Sequence, residues 1–324
     1  MRLPSVDVLR LLTVSLIVYR HTFGSSDILL ASVGVPFFFF LTGWLWRPGR
    51  RTVKEEISHR WRTLGIPYLS WLLLLYPIYL AAFYIQGELT LQRTVAPLLG
   101  GSYVGAAYTT FWFISALLLV GIMMRLLDRL SETALIVLGL GLLAIGGLFG
   151  EQLAEVPLGI GVAVPSLGFA IIGRLAGQWS CEKSGKFTAL LLLIPAILLA
   201  FFFFEPLNIK YGDFGTPMIS GALTSLITWG VLVALDSLFR LIPFSARMST
   251  WLGPLTSVAI VVVLTHPVVL WAMAFFQHNS TPPVWVYLMA LILPWIMALA
   301  IKQTRLSPYL IGQPYAAVSP RTKS

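Results

Sequence analysis

Apolar runs long enough to cross a bilayer alternate along the chain with short polar connections. Ten such runs can be drawn, at about 5–23, 29–46, 64–85, 107–126, 133–149, 158–178, 187–204, 216–238, 251–275 and 284–301. A helix crossing a bilayer core needs about 20 mostly apolar residues. Apolar runs of this length satisfy their backbone groups inside a membrane as helices. The pattern predicts an all-α polytopic membrane protein of about ten transmembrane helices. A single transmembrane domain is expected over 1–305, with a short cytoplasmic tail at 306–324.

Charge orients these helices. With the N-terminus inside, all but three of the 22 Lys and Arg residues fall on or near the cytoplasmic side; the exceptions are Arg20, Arg93 and Lys210. The outer loops hold Asp27, Glu88, Glu151, Glu155, Glu205 and Asp213 instead. Positive loops stay inside, so both termini are expected in the cytoplasm. Composition agrees: 57% of the 324 residues are hydrophobic and 11% charged, against about 25% charged in soluble domains. Mean hydropathy is +0.85. The net charge of +9 therefore records topology rather than nucleic-acid affinity. Cys181 is the only cysteine, which excludes an intramolecular disulfide and a cysteine metal cluster. The sequence holds no P-loop, Rossmann glycine fingerprint, HExxH or CxxC motif, and no repeat of fixed period. The Phe37–Phe40 and Phe201–Phe204 runs read as lipid-facing or packing residues.

The first run, SVDVLRLLTVSLIVYRHTF, breaks the pattern. Only nine uncharged residues, Leu11 to Tyr19, separate Arg10 from Arg20, so some charge must lie within the bilayer. Ionisable groups there are costly and mark sites or pathways. Eleven residues make about three helical turns, which puts Arg10 and His21 on one face, roughly 16 Å apart. Asp7, three residues before Arg10, is placed to pair with it. A cleaved signal peptide is disfavoured, because Arg20 and His21 follow the apolar core directly.

Four further features each carry a bland and a functional reading. The basic segment from Arg47 to Arg62, with Arg50, Arg51, Lys54 and Arg60, suits anionic lipid headgroups. It equally suits a phosphorylated cytosolic substrate, since arginine forks match phosphate. His266 in VVVLTHPVVLW lies about 22 Å into its helix, against about 24 Å for His21. Two histidines at matched depth could meet around one cavity, and Pro267 could open backbone beside them; a structural histidine at a kink is the alternative. Arg174 either snorkels toward the inner surface or lines a cavity mouth. Trp112 and Phe113, at the outer start of the fourth run, fit an interfacial aromatic belt and a cavity mouth equally well.

Taken in order, these stretches resemble the acyltransferase 3 family of bacterial membrane O-acyltransferases. Arg10 to His21 matches its Arg-x10-His signature, preceded by a family-like D-x-x-R at Asp7 and Arg10. VGVPFFFFLTGWLW resembles its second helix and HRWRTLGIPYLSW its third, with Arg60, Arg62, Pro67 and Tyr68. FWFISALLLV matches the fourth, GRLAG the sixth and STWLGPLTSVAIVVVLTHP the ninth. Thr42 stands where the family usually has serine, and Val261–Val263 replace a tyrosine common before the ninth-helix histidine. The form resembled is the stand-alone type, with no periplasmic esterase-like domain after the last helix.

The resemblance implies transfer of an acyl group, usually acetyl, from cytosolic acetyl-CoA to a hydroxyl of an extracytoplasmic glycan or lipid-linked sugar. It implies a multi-pass protein of the bacterial inner membrane, with acyl-CoA as co-substrate, membrane lipids as surroundings, and neither a bound cofactor, a metal nor nucleic acid. His21, Arg10 and Asp7 are the expected catalytic group. Arg47, Arg50, Arg51, Arg60, Arg62, Arg174, Trp112 and His266 are expected around the donor or acceptor. The residues alone also admit a proton-coupled transporter or flippase, since buried Asp, Arg and His serve proton relays.

Overall fold

The computed structural model describes residues 4–24, 35–203, 217–241, 245–275 and 282–315. The helices are α1 (Pro4–Phe23), α2 (Val35–Trp44), α3 (Val53–Arg60), α4 (Ile66–Ile85), α5 (Leu91–Leu99), α6 (Phe111–Leu126) and α7 (Glu132–Ala154). They continue with α8 (Ala163–Trp179), α9 (Lys183–Phe203), α10 (Pro217–Leu241), α11 (Ser245–Ala274), α12 (Val284–Lys302) and α13 (Ser307–Leu310). No strand occurs among the described residues. Eight helical stretches among them are long and apolar enough to cross a membrane. Two more expected spans correspond to α1, which carries Asp7, Arg10 and Arg20, and to α2, whose expected start at 29–34 lies outside the described residues. Asp27, Glu205, Lys210 and Asp213, expected in outer loops, also lie outside them.

The expected connections contain helices of their own. Thr52 and Glu55 form a capping box, each side chain bonding the other's backbone N–H, and so start α3 inside the basic segment. Thr90 accepts from the Arg93 N–H and starts α5 in the loop expected on the outer side. The fifth span passes its expected end at 149 and continues to Ala154 through a kink at Phe149. Between α3 and α4 the chain makes one π-helical turn, Trp61–Gly65, in which the Ile66 N–H reaches back to the Trp61 carbonyl. Pro67 follows directly and has no N–H to donate to the Thr63 carbonyl, so one α-helical bond is also missing at this junction.

Close helix contact comes from small residues. A Cβ on Gly43 of α2 would stand 1.7 Å from the Ala170 carbonyl oxygen of α8, and one on Gly173 of α8 would stand 1.9 Å from that of Phe40. Glycine on both sides lets the two backbones touch, the usual basis of helix association in lipid. Phe37, Phe39 and Phe40 are buried there, whereas Phe201 and Phe202 are exposed on α9. The two phenylalanine runs thus divide between packing and the lipid-facing surface. Part of the segment after 305 packs on the helices: Trp71 of α4 donates to the Leu310 carbonyl at 2.9 Å, and Ser307 and Ile311 are buried.

Candidate active site

α1 and α11 run in parallel and are joined at both ends. Near the end expected to face the cytoplasm, the inner end, the Thr256 hydroxyl lies 3.1 Å from Asp7 Oδ1. Near the outer end His266 Nε2 lies 3.0 Å from His21 Nδ1, with ring centroids 5.0 Å apart. The matched depths of the two histidines therefore become direct contact. His266 is fully buried, while His21 is exposed to a recess.

Proline explains how α11 supports this arrangement. Pro267 cannot donate to the carbonyl of Val263 four residues earlier. That carbonyl accepts instead from the Thr110 hydroxyl, at 2.6 Å, which ties the start of α6 to α11. One residue earlier in the ladder, His266 Nδ1 lies 2.8 Å from the Val262 carbonyl. A carbonyl only accepts, so Nδ1 of His266 carries the hydrogen. With both rings neutral, His266 Nε2 then accepts from His21 Nδ1. The lone pair of His21 is left on Nε2, the atom a base or nucleophile needs.

One face of α1, comprising Arg10, Val14, Ile17 and His21, lines two cavities. The inner cavity, of about 280 Å³, is bordered by Arg10, Arg60, Thr42, Thr63, Ser257 and Gln313, among others. The outer one, of about 40 Å³, is enclosed by Ile17, His21, Val35, Thr110, Trp112, Phe113 and Val263. Trp112 therefore stands in the wall of the His21 cavity. The helical spacing of Arg10 and His21 places a cation in one cavity and an imidazole in the other.

At the inner mouth the expected arginines divide into two groups. Glu56 is fully buried and meets Arg60 at 2.7 Å, Arg51 at 3.3 Å and Arg125 at 3.3 Å. Arg60 lies across Gly121 of α6, where a Cβ would sit 2.3 Å from its Nε. Asp128 accepts from Arg125 at 2.5 Å, the Trp46 indole at 2.7 Å and the Gly49 N–H at 3.0 Å. Arg174 stands 3.9 Å from Asp128 and donates to the Leu127 and Asp128 carbonyls. Burial pushes the Asp128 carboxyl up, but its bonds from Gly49, Trp46 and Arg125 outweigh that and hold it below the usual carboxylate value. Arg51, Arg60 and Arg174 thus belong to a carboxylate-centred network, whereas Arg47, Arg50 and Arg62 are exposed. Four guanidiniums around two carboxylates leave the mouth positively charged.

The hubs of that network, Glu56, Arg125 and Asp128, were not among the expected site residues. The i, i+3 spacing of Arg125 and Asp128 was the available signal. Nothing local marks Glu56 as buried, because its neighbours along the chain are exposed.

A family model described as an acyltransferase domain matches residues 3–301. The chain belongs to the acyltransferase 3 family. Membership decides for acyl transfer over transport, and this acyltransferase 3 protein is a multi-pass membrane O-acyltransferase. No curated protein and no solved structure matches the chain.

Proposed function

We propose that the protein moves an acetyl group from cytosolic acetyl-CoA to a hydroxyl of an extracytoplasmic glycan or lipid-linked saccharide, across the bacterial inner membrane. Both termini lie in the cytoplasm in this reading. The observation that carries it is the chain Val262 carbonyl, His266, His21, which keeps the Nε2 lone pair on the histidine that borders the outer cavity.

The CoA phosphates meet the positive inner mouth, with exposed Arg47, Arg50 and Arg62 as first contacts and Arg10 and Arg60 in the inner cavity. The pantetheine arm follows the α1 face toward His21. His21 Nε2 takes the proton of the acceptor hydroxyl while that oxygen attacks the thioester carbonyl carbon. The carbon–sulfur bond breaks, and the CoA thiolate takes the proton back from the imidazolium. Throughout, His21 Nδ1–H stays bonded to neutral His266, which stabilises the transient positive charge. The same lone pair can instead attack the thioester first and carry the acetyl group to the acceptor.

Inside-out membrane vesicles from expressing cells, supplied with acetyl-CoA labelled in the acetyl group, test the reading. Label should enter the lumenal glycan fraction. Label recovered only as donor or as free acetate would contradict it.

A further inference from the structure

Phe113 and Val263 border both the inner and the outer cavity. They flank the place where the side that holds Arg10 meets the side that holds His21, which an acyl group must pass. Neither wall is loose. Phe113 is buried and packs edge-on against Phe38 and Phe39, with centroids 5.5 Å away in each case, and against Trp112 at 6.2 Å. Val263 is buried, and its carbonyl is held by Thr110. Behind Trp112, the single Ser115 hydroxyl hydrogen is shared between the Trp112 backbone carbonyl, 2.9 Å away, and the Leu158 carbonyl, which holds the backbone of this turn of α6. A rigid wall measures what it encloses, whereas a soft one adapts.

The space beside His21 is small. About 40 Å³ has room for roughly three water-sized groups, which matches the methyl, carbon and oxygen of an acetyl group. An added methylene directed at the Phe113 and Val263 side meets buried, packed side chains.

We propose that the chamber formed by Phe113, Val263, Trp112 and Ile17 is an acyl-length ruler that admits a two-carbon acyl group to His21 and excludes longer ones. Phe113 and Val263 are its specificity-determining residues. This rests on the donor reading above, in which acyl-CoA reaches His21 from the inner cavity.

The test uses the full-length protein in proteoliposomes with acetyl-, propionyl- and butyryl-CoA, read as release of the free CoA thiol with water as acceptor. For the wild type, kcat/KM should fall about 10- to 200-fold on adding the first methylene and further for butyryl. Phe113→Leu should narrow the butyryl-to-acetyl gap by about tenfold or more, and Val263→Ala should act in the same direction. Leu117→Val, which changes only the inner cavity, should keep the wild-type ratio. Equal use of butyryl- and acetyl-CoA by the wild type would overturn the ruler while leaving the donor reading intact. So would folded Phe113→Leu and Val263→Ala proteins that both keep the wild-type ratio. If neither variant folds, the wild-type series decides alone. A wild type that cleaves none of the three thioesters overturns the donor reading and takes the ruler with it.

Discussion

His266 Nε2 and His21 Nδ1, 245 residues apart in sequence, lie 3.0 Å apart and join two parallel helices. The buried ring acts on the exposed one by fixing its tautomer, since its own Nδ1–H is committed to the Val262 carbonyl. His266 is therefore a positioning residue. His266→Ala should lower kcat by about 10- to 100-fold, less than the roughly 10²- to 10⁴-fold that the general base itself supplies, and leave KM for acetyl-CoA nearly unchanged. His266→Gln, whose amide oxygen can accept from His21, should recover part of the loss. Steady-state release of CoA thiol checks both. Equal losses in the two variants would point to packing alone.

Arg10 sits in the inner cavity, about 16 Å below His21 along α1. In the proposed path it meets the donor and not the acceptor. Arg10→Lys keeps the charge but loses the planar fork, so KM for acetyl-CoA should rise. One charge-assisted bond is worth about 1.5–3 kcal/mol, or roughly 10- to 150-fold in affinity. Donor titration with kcat followed in parallel separates this from a catalytic defect; a fall in kcat with KM unchanged would contradict it.

Asp128 links acid stability to the inner mouth. Its folded-state pKa lies below the ordinary value, so unfolded chains bind the proton more readily. The stability it contributes is fully present above the unfolded carboxylate pKa of about 3.9. It is lost as pH falls from there through the lower folded value. The melting temperature of the wild type should therefore drop more steeply below about pH 4 than that of Asp128→Asn. Parallel slopes in a detergent-solubilised thermal scan would show that the network adds nothing there.

Much of this was legible in the sequence because hydropathy, charge asymmetry and helical spacing are local signals. Leu11–Tyr19 is too short an uncharged core for a bilayer, and this singled out the α1 face that borders both cavities. Helix direction and depth brought His266 level with His21. Pro267 signalled freed backbone, although the identity of its new partner, Thr110, depends on how α6 meets α11. The Glu56 network was not legible. Its members lie on α3, α6 and α8 and in the loops before α3 and after α6, and only tertiary packing makes one glutamate among exposed residues the buried centre of three arginines. Helices α3 and α5 were hidden for a different reason: their start signals, Thr52–Glu55 and Thr90, sit in polar stretches where hydropathy alone reads a loop.

The central claim is that His21 supplies the chemistry and the rest of the α1 face supplies the path. Its most direct test is His21→Ala, assayed for acetyl-CoA affinity and for acetyl transfer on the same preparation. The account predicts donor affinity close to wild type with transfer reduced by about 10²- to 10⁴-fold. Near-normal transfer by His21→Ala, with the protein folded and donor bound, would contradict it.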